Sequence, residues 1–139
     1  MISSLDKSAK YDVYKLVNHG YKETMGRIGK LPFPMSVEKA LSYIKNKLEV
    51  PVLRYAGNKD CLVEKIAILG GAGAEFAGVA KSMGADLYLT GDLKYHEAQD
   101  AAMNGLVIAD GGHFYTERVI IPYLAKRLRD EFKTRGWNV

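Results

Sequence analysis

One cysteine, Cys61, stands in a chain of 139 residues. No disulfide can therefore form within the chain, and the sequence reads as an intracellular one. No apolar run approaches the roughly 18 residues that a membrane-spanning helix needs. The start, Met1 to Asp6, has no apolar secretory core, so a cytoplasmic location is the expectation. Repeats and low-complexity segments are missing. So are the GxGxxG fingerprint and a phosphate loop ending in Lys-Ser/Thr, which removes the standard dinucleotide and nucleoside-triphosphate motifs. Histidine is scarce, three in all and none adjacent to another. Cys61 follows the charged pair Lys59-Asp60 with no matched histidine base, and a catalytic thiol is not indicated.

What is present fits one ordinary globular domain, with 47% apolar, 10% aromatic and 26% charged residues. The net charge of +4 is unevenly spread. Between Asp86 and Glu117 six acids (Asp86, Asp92, Glu97, Asp100, Asp110, Glu117) face one base, Lys94, a local balance of −5 that leaves +9 on the remainder. Arg118, Lys126, Arg127, Arg129, Lys133 and Arg135 interleave with apolar positions, as on a solvated amphipathic helix. No basic-aromatic module accompanies them, so nucleic acid is not the expected partner.

Residues 1–34 show no sustained period and read as an extension or linker, with Tyr11-Asp-Val-Tyr14, Gly26-Arg-Ile-Gly29 and Pro32-Phe-Pro34 as their landmarks. His19 falls in a polar part of this segment and reads as a surface residue. Residues 35–139 form the domain proper. Ser36 caps a helix predicted over Val37 to Leu48, whose apolar positions Val37, Ala40, Leu41, Ile44 and Leu48 recur at helical spacing. Strands follow at Val52 to Ala56, Lys65 to Leu69, Leu87 to Thr90 and Leu106 to Ala109. Helices alternate with them at Glu75 to Met83, His96 to Met103 and, at the end, Tyr115 to Arg135, the last expected to bury Val119, Ile120, Tyr123, Leu124 and Leu128. The class is α/β, a mostly parallel or mixed sheet covered by helices.

Ligands of open α/β sheets bind beyond the carboxyl ends of the strands. Three loops are expected there: Gly70 to Gly73, Gly91 to Leu93 and Asp110 to His113. The first either turns backbone N–H groups toward an anion or permits a tight turn and close helix packing, and the missing fingerprints favour the second. In Asp110-Gly-Gly-His-Phe-Tyr-Thr-Glu117, His113 and Glu117 are four apart. If the terminal helix begins by His113, imidazole and carboxylate share one face, a donor pair suited to zinc, iron or manganese. Asp92 and His96 make a second acid and imidazole four apart. Asp92 is either the N-cap of the next helix or part of the site, and His96 is a proton donor, a partner of a metal ligand or a packing residue.

Gly70-Gly-Ala-Gly73, the run from Gly84 to His96 and Asp110-Gly-Gly-His-Phe-Tyr-Thr-Glu117 together resemble the second half of the NGG-interacting-factor-like family, dinuclear-metal proteins also labelled GTP cyclohydrolase I type-two homologs. Tyr11-Asp-Val-Tyr14 resembles the end of the domain inserted in longer bacterial members, and Gly26-Arg-Ile-Gly29 the re-entry into the second half. The resemblance implies a divalent metal, two per complete site, with His113 and Glu117 as ligands. It implies that a His-His pair and an Asp come from an N-terminal half lying outside this sequence, and that members continue past Gly136-Trp-Asn-Val139 into a last strand. It further implies a ring-shaped homo-oligomer, a metal-dependent hydrolase reaction on a small-molecule or nucleotide substrate, and roles for Asp92 and His96 in positioning water or substrate. A non-enzymatic metal-binding regulatory or protein-interaction module is the alternative.

Overall fold

Ser36 leaves the preceding strand in an extended conformation, and its side-chain oxygen accepts from the Lys39 N–H at 3.3 Å. That cap starts helix α1, Val37–Leu48, and the apolar period of the helix is satisfied by burial of Val37, Ala40, Ile44 and Leu48. The computed structural model describes residues 25–137 and the backbone of residues 11–12. The landmark residues Val13 and Tyr14, and His19, lie outside the described residues.

Six strands form one mixed sheet: β1 (Tyr11–Asp12), β2 (Arg27–Ser36), β3 (Arg54–Ala56), β4 (Leu62–Ala72), β5 (Leu87–Gly91) and β6 (Val107–Asp110). Their spatial order is β1-β2-β4-β5-β6-β3. The centre, β4-β5-β6, is parallel, and β2 and β3 close its two sides antiparallel. The helices between the parallel strands are α2 (Ala77–Ser82, preceded by a 3-10 turn at Ala74–Phe76) and α3 (Tyr95–Met103). They cover one face through Phe76, Ala80, Ala98 and Ala101, packed on Ile28, Ala67, Tyr88 and Ile108. The other face is covered by α1 and by Tyr115 and Val119, packed on Val63, Ile66, Leu87, Leu89, Val107 and Ala109. Strand β5 is buried at all five positions, as expected for a central parallel strand with helices on both faces.

Three sequence expectations need correction. The segment from Arg27 to Ser36, in which no period was legible, is a ten-residue strand. Its burial does not alternate cleanly, and its register with β4 shifts between Lys30 and Met35. The terminal helix is two helices, α4 (His113–Glu117) and α5 (Ile120–Thr134). Pro122 has no N–H to offer the Arg118 carbonyl, which takes the Ile121 N–H instead at 3.1 Å, tightening the backbone at the junction. Of the five side chains expected to be buried there, only Val119 packs on the core. Ile120, Tyr123, Leu124 and Leu128 are 44 to 54% exposed, because an apolar stripe reports which face of a helix is apolar and not whether anything covers it. Finally, Gly70 and Gly71 belong to β4 and not to a loop beyond it, since the strand runs to Ala72 through an irregularity between Ile68 and Ala72.

Candidate functional site

The irregularity in β4 is the foundation of the site. Where the ladder to β5 is interrupted, Gly71 turns its backbone to side chains. Its N–H donates to Thr116 Oγ1 at 3.0 Å, and its carbonyl accepts from Thr90 Oγ1 at 3.0 Å. Thr116 in turn donates to the carbonyls of Gly112 and His113, both at 2.9 Å, which fixes the first turn of α4 against β4. The Tyr88 hydroxyl donates to the Gly73 carbonyl at 2.6 Å. Thr90 and Thr116 are buried, so these bonds are shielded from water and costly to leave unmade. The Gly71 N–H is thus committed to Thr116, which removes it as an anion donor.

Onto this base α4 sets His113 and Glu117 one turn apart. His113 Nε2 lies 3.3 Å from Glu117 Oε1, and His113 Nδ1 lies 2.6 Å from Asp92 Oδ2. Asp92 reaches it from the β5–α3 loop in a left-handed conformation, φ +55°, which aspartate tolerates better than most residues. It is not the N-cap of α3. Lys94 holds that position, and its N–H donates to Glu97 Oε2 at 2.9 Å. The three side chains of the cluster are about half exposed. The His113 pKa is raised above the ordinary imidazole value, first by the hydrogen bond to Asp92 and then by the charge of Glu117.

Two glycines make the cluster sterically feasible. A Cβ on Gly71, whose φ is +72°, would stand 2.6 Å from Glu117 Oε1 and 3.2 Å from His113 Nε2. A Cβ on Gly91 would stand 2.8 Å from the His113 backbone nitrogen, so the second and third loops meet backbone to backbone.

His113 and Glu117 fit a divalent metal by donor chemistry and spacing. Two donors bound at about 2.0–2.1 Å to a tetrahedral ion are separated by about 3.3 Å, which matches the 3.3 Å observed. The carboxylate of Asp92 accepts only, so a neutral His113 places its proton on Nδ1 and leaves the Nε2 lone pair toward Glu117. Among the described residues no group of three or more His, Cys, Asp or Glu side chains is arranged to hold an ion, so His113 and Glu117 by themselves do not make a complete coordination shell. His96 is exposed on the first turn of α3, its ring edge-on to Tyr95 at 5.4 Å. Among the described residues it makes no hydrogen bond to the cluster.

Of the six acids in the −5 block, Asp92, Asp110 and Glu117 gather at this edge. Asp86 binds the N–H groups of Glu64 and Lys65 at 2.8 and 2.9 Å, at the other end of the strands, and Glu97 caps α3. Sequence reasoning missed the parts that hold the site together: Thr90, Thr116, Arg54 and the role of Asp110. Thr116 carried a signal, since it sits within the His-x-x-x-Glu spacing on the turn that must face the sheet.

The fold and site define an α/β protein whose Asp92, His113 and Glu117 are gathered on the carboxyl edge of a parallel β4-β5-β6 core. The profile of the Duf34/NIF3 (NGG1p interacting factor 3) family matches residues 3–139, and the chain belongs to that family. It is 38% identical over 129 residues to the GTP cyclohydrolase 1 type 2 homolog of Bacillus subtilis, covering 93% of this chain and 34% of that protein. To the protein of the same name from Halalkalibacterium halodurans it is 41% identical over 128 residues, covering 92% of this chain and 34% of the relative. Among solved structures, a Bacillus cereus protein related to NIF3 superposes with a TM-score of 0.82 at 39% identity, over 92% of this chain and 35% of that one. A Staphylococcus aureus hypothetical protein superposes with a TM-score of 0.77 at 32% identity, over 82% and 38% of the two chains. The chain therefore spans about a third of the length of these curated relatives. Among the described residues no helix is long and apolar enough to cross a membrane.

Proposed function

We propose that this chain supplies one imidazole and one carboxylate, His113 and Glu117, to the divalent-metal centre of a hydrolase. The observation that carries this reading is the aligned trio Asp92, His113 and Glu117 over Gly71, where any larger residue would fill the space beside the two donors. Zinc, iron or manganese suits the pair. Such an ion, when bound, supplies a Lewis acid and lowers the pKa of a water molecule. The chain's own contribution is positional. Asp92 holds the Nδ1 proton of His113, Thr116 fixes the turn from which His113 projects, and Glu117 adds the negative charge that a cation needs beside it.

The name carried by the relatives supports a nucleotide as the substrate class. The partial donor set supports a second component, a further copy of the chain or another polypeptide segment, that completes the coordination. It also supports the alternative of a metal-binding module with no reaction of its own.

Metal analysis of the purified chain and calorimetric titration with zinc and manganese test the proposal, with His113→Ala alongside. Stoichiometric binding that His113→Ala weakens at least tenfold is the expected result. Equal affinities for the two proteins refute the assignment of His113, and no binding by either refutes a site held by this chain alone. Hydrolysis of nucleotide phosphates by the metal-loaded chain separates the enzyme from the module.

A further inference from the structure

Asp110 is the last residue of β6 and, among the described residues, the one buried charged side chain, 3% exposed. Burial of a carboxylate is unfavourable unless it is paired and hydrogen-bonded, and this one is fully engaged. Its Oδ1 accepts from the Gly112 N–H at 2.9 Å. Its Oδ2 accepts from the Leu93 N–H at 3.3 Å and from Arg54 Nη2 at 2.5 Å. Arg54 stands directly across the ladder from Asp110, in the antiparallel pairing of β3 with β6. The guanidinium thus comes from the opposite strand at the register position nearest the carboxylate, and the rest of its side chain stays largely exposed.

The two backbone donors are the informative ones. Leu93 follows Asp92, and Gly112 precedes His113. One carboxylate therefore fixes the residue after the acid and the residue before the imidazole, on two loops that leave different strands. Between those loops runs the 2.6 Å contact from Asp92 Oδ2 to His113 Nδ1, and their backbones already touch where Gly91 meets His113. Asp92 is also held at positive φ, which a free loop would tend to relax.

We propose that Asp110, held by Arg54, is a positioning residue that sets the distance between the Asp92 and His113 loops and thereby the tautomer and aim of the His113 ring. Neither residue touches the donor atoms Nε2 or Oε1. Their effect passes through Asp92, which keeps the proton on Nδ1 and Nε2 free to coordinate. This inference rests on the reading of His113 as a metal donor for its affinity consequence alone; the tautomer consequence stands without any metal.

The test uses the full chain and four variants: Asp110→Asn, Arg54→Met, Arg54→Lys and His113→Ala. Without metal, at a pH above the end of the ring's own NMR titration, long-range nitrogen-proton NMR reads the tautomer of His113. The wild type is expected to show the Nδ1-protonated form predominantly. Asp110→Asn is expected to show a mixture of both forms, Arg54→Met a smaller change in the same direction, and Arg54→Lys a partial return. In zinc titrations the loss expected for Asp110→Asn is about 10- to 100-fold, the range for displaced outer partners of a metal-bound histidine.

A folded Asp110→Asn with a wild-type tautomer overturns the proposal, even where its melting temperature falls, because that pattern is purely structural. Should Asp110→Asn not fold, Arg54→Met decides by the same tautomer criterion, its side chain lying mostly in solvent. If His113→Ala binds zinc as the wild type does, the metal reading fails separately, while the tautomer measurement still judges Asp110.

Discussion

Replacing Gly71 by alanine tests the steric logic of the site at one atom. The added Cβ lies 2.6 Å from Glu117 Oε1 and 3.2 Å from His113 Nε2, and the backbone there has φ +72°. A left-handed conformation costs a non-glycine residue roughly 1–2 kcal/mol. The Glu117 contact is with the far end of a flexible side chain, so the carboxylate swings aside and adds little further strain. The expected destabilisation is therefore about 1–2 kcal/mol, or roughly 3–8 °C in melting temperature for a chain of this size. The displaced carboxylate separates the two donors, so zinc affinity falls about tenfold or more. Gly78 supplies the internal comparison. It lies in α2, where a Cβ would meet nothing within 4 Å. Gly78→Ala is expected to stabilise by about 0.5–1 kcal/mol through helix propensity. Denaturant unfolding and calorimetric titration of both variants give the answer. A Gly71→Ala protein as stable as wild type, with unchanged zinc affinity, refutes the assignment of Gly71 as the space beside the donors.

Other consequences follow from the same contacts. Because the Asp92 hydrogen bond is the largest cause of the raised His113 pKa, Asp92→Asn should return that pKa toward the ordinary value, seen by NMR titration of the ring. In the metal-free protein the protonated His113 adds stability that is complete below the unfolded-state value near pH 6.5 and is lost as pH rises through the raised value. Zinc affinity runs the opposite way, climbing with pH until His113 is deprotonated, since the ion competes with the proton. Leu87, fully buried at the sheet centre, should cost about 2–5 kcal/mol when replaced by alanine, measured by urea unfolding. Pro122→Ala restores an N–H that can reach the Arg118 carbonyl, and the helical circular dichroism signal should increase as α4 and α5 become continuous.

The central α/β alternation was legible because its signals are local. Ser36 and the 37–48 period define α1 to the residue, the apolar run Leu87 to Thr90 stops one residue short of the end of β5, and Leu106 to Ala109 is offset from β6 by one position. Strand β2 was not legible, since its side chains neither alternate nor run uniformly apolar and its place is set by pairing with β4. His113 and Glu117 could be paired from their spacing of four. The Asp92 contact could not, because it depends on a left-handed backbone turn and on hydrogen bonds from Asp110 to two separate loops. The polar scaffold of Thr90 and Thr116 was equally hidden, as hydroxyls bonding to backbone leave no periodic trace.

Strand β3 is three residues long, with Arg54 and Tyr55 exposed, and it joins the sheet beside β6, on the far side from β4, which follows it in the chain. Its pairing with β6 closes a span of 56 residues, a contact that becomes favourable only after the β4-β5-β6 core has brought its partner into place. A short edge strand with so few buried side chains is also among the first elements to open from the native state. Amide hydrogen exchange at Arg54 to Ala56 is therefore a gauge of how often the carboxylate of Asp110 is released. A cation bound at His113 should slow that exchange from across the sheet edge, since it favours the closed form over the open one.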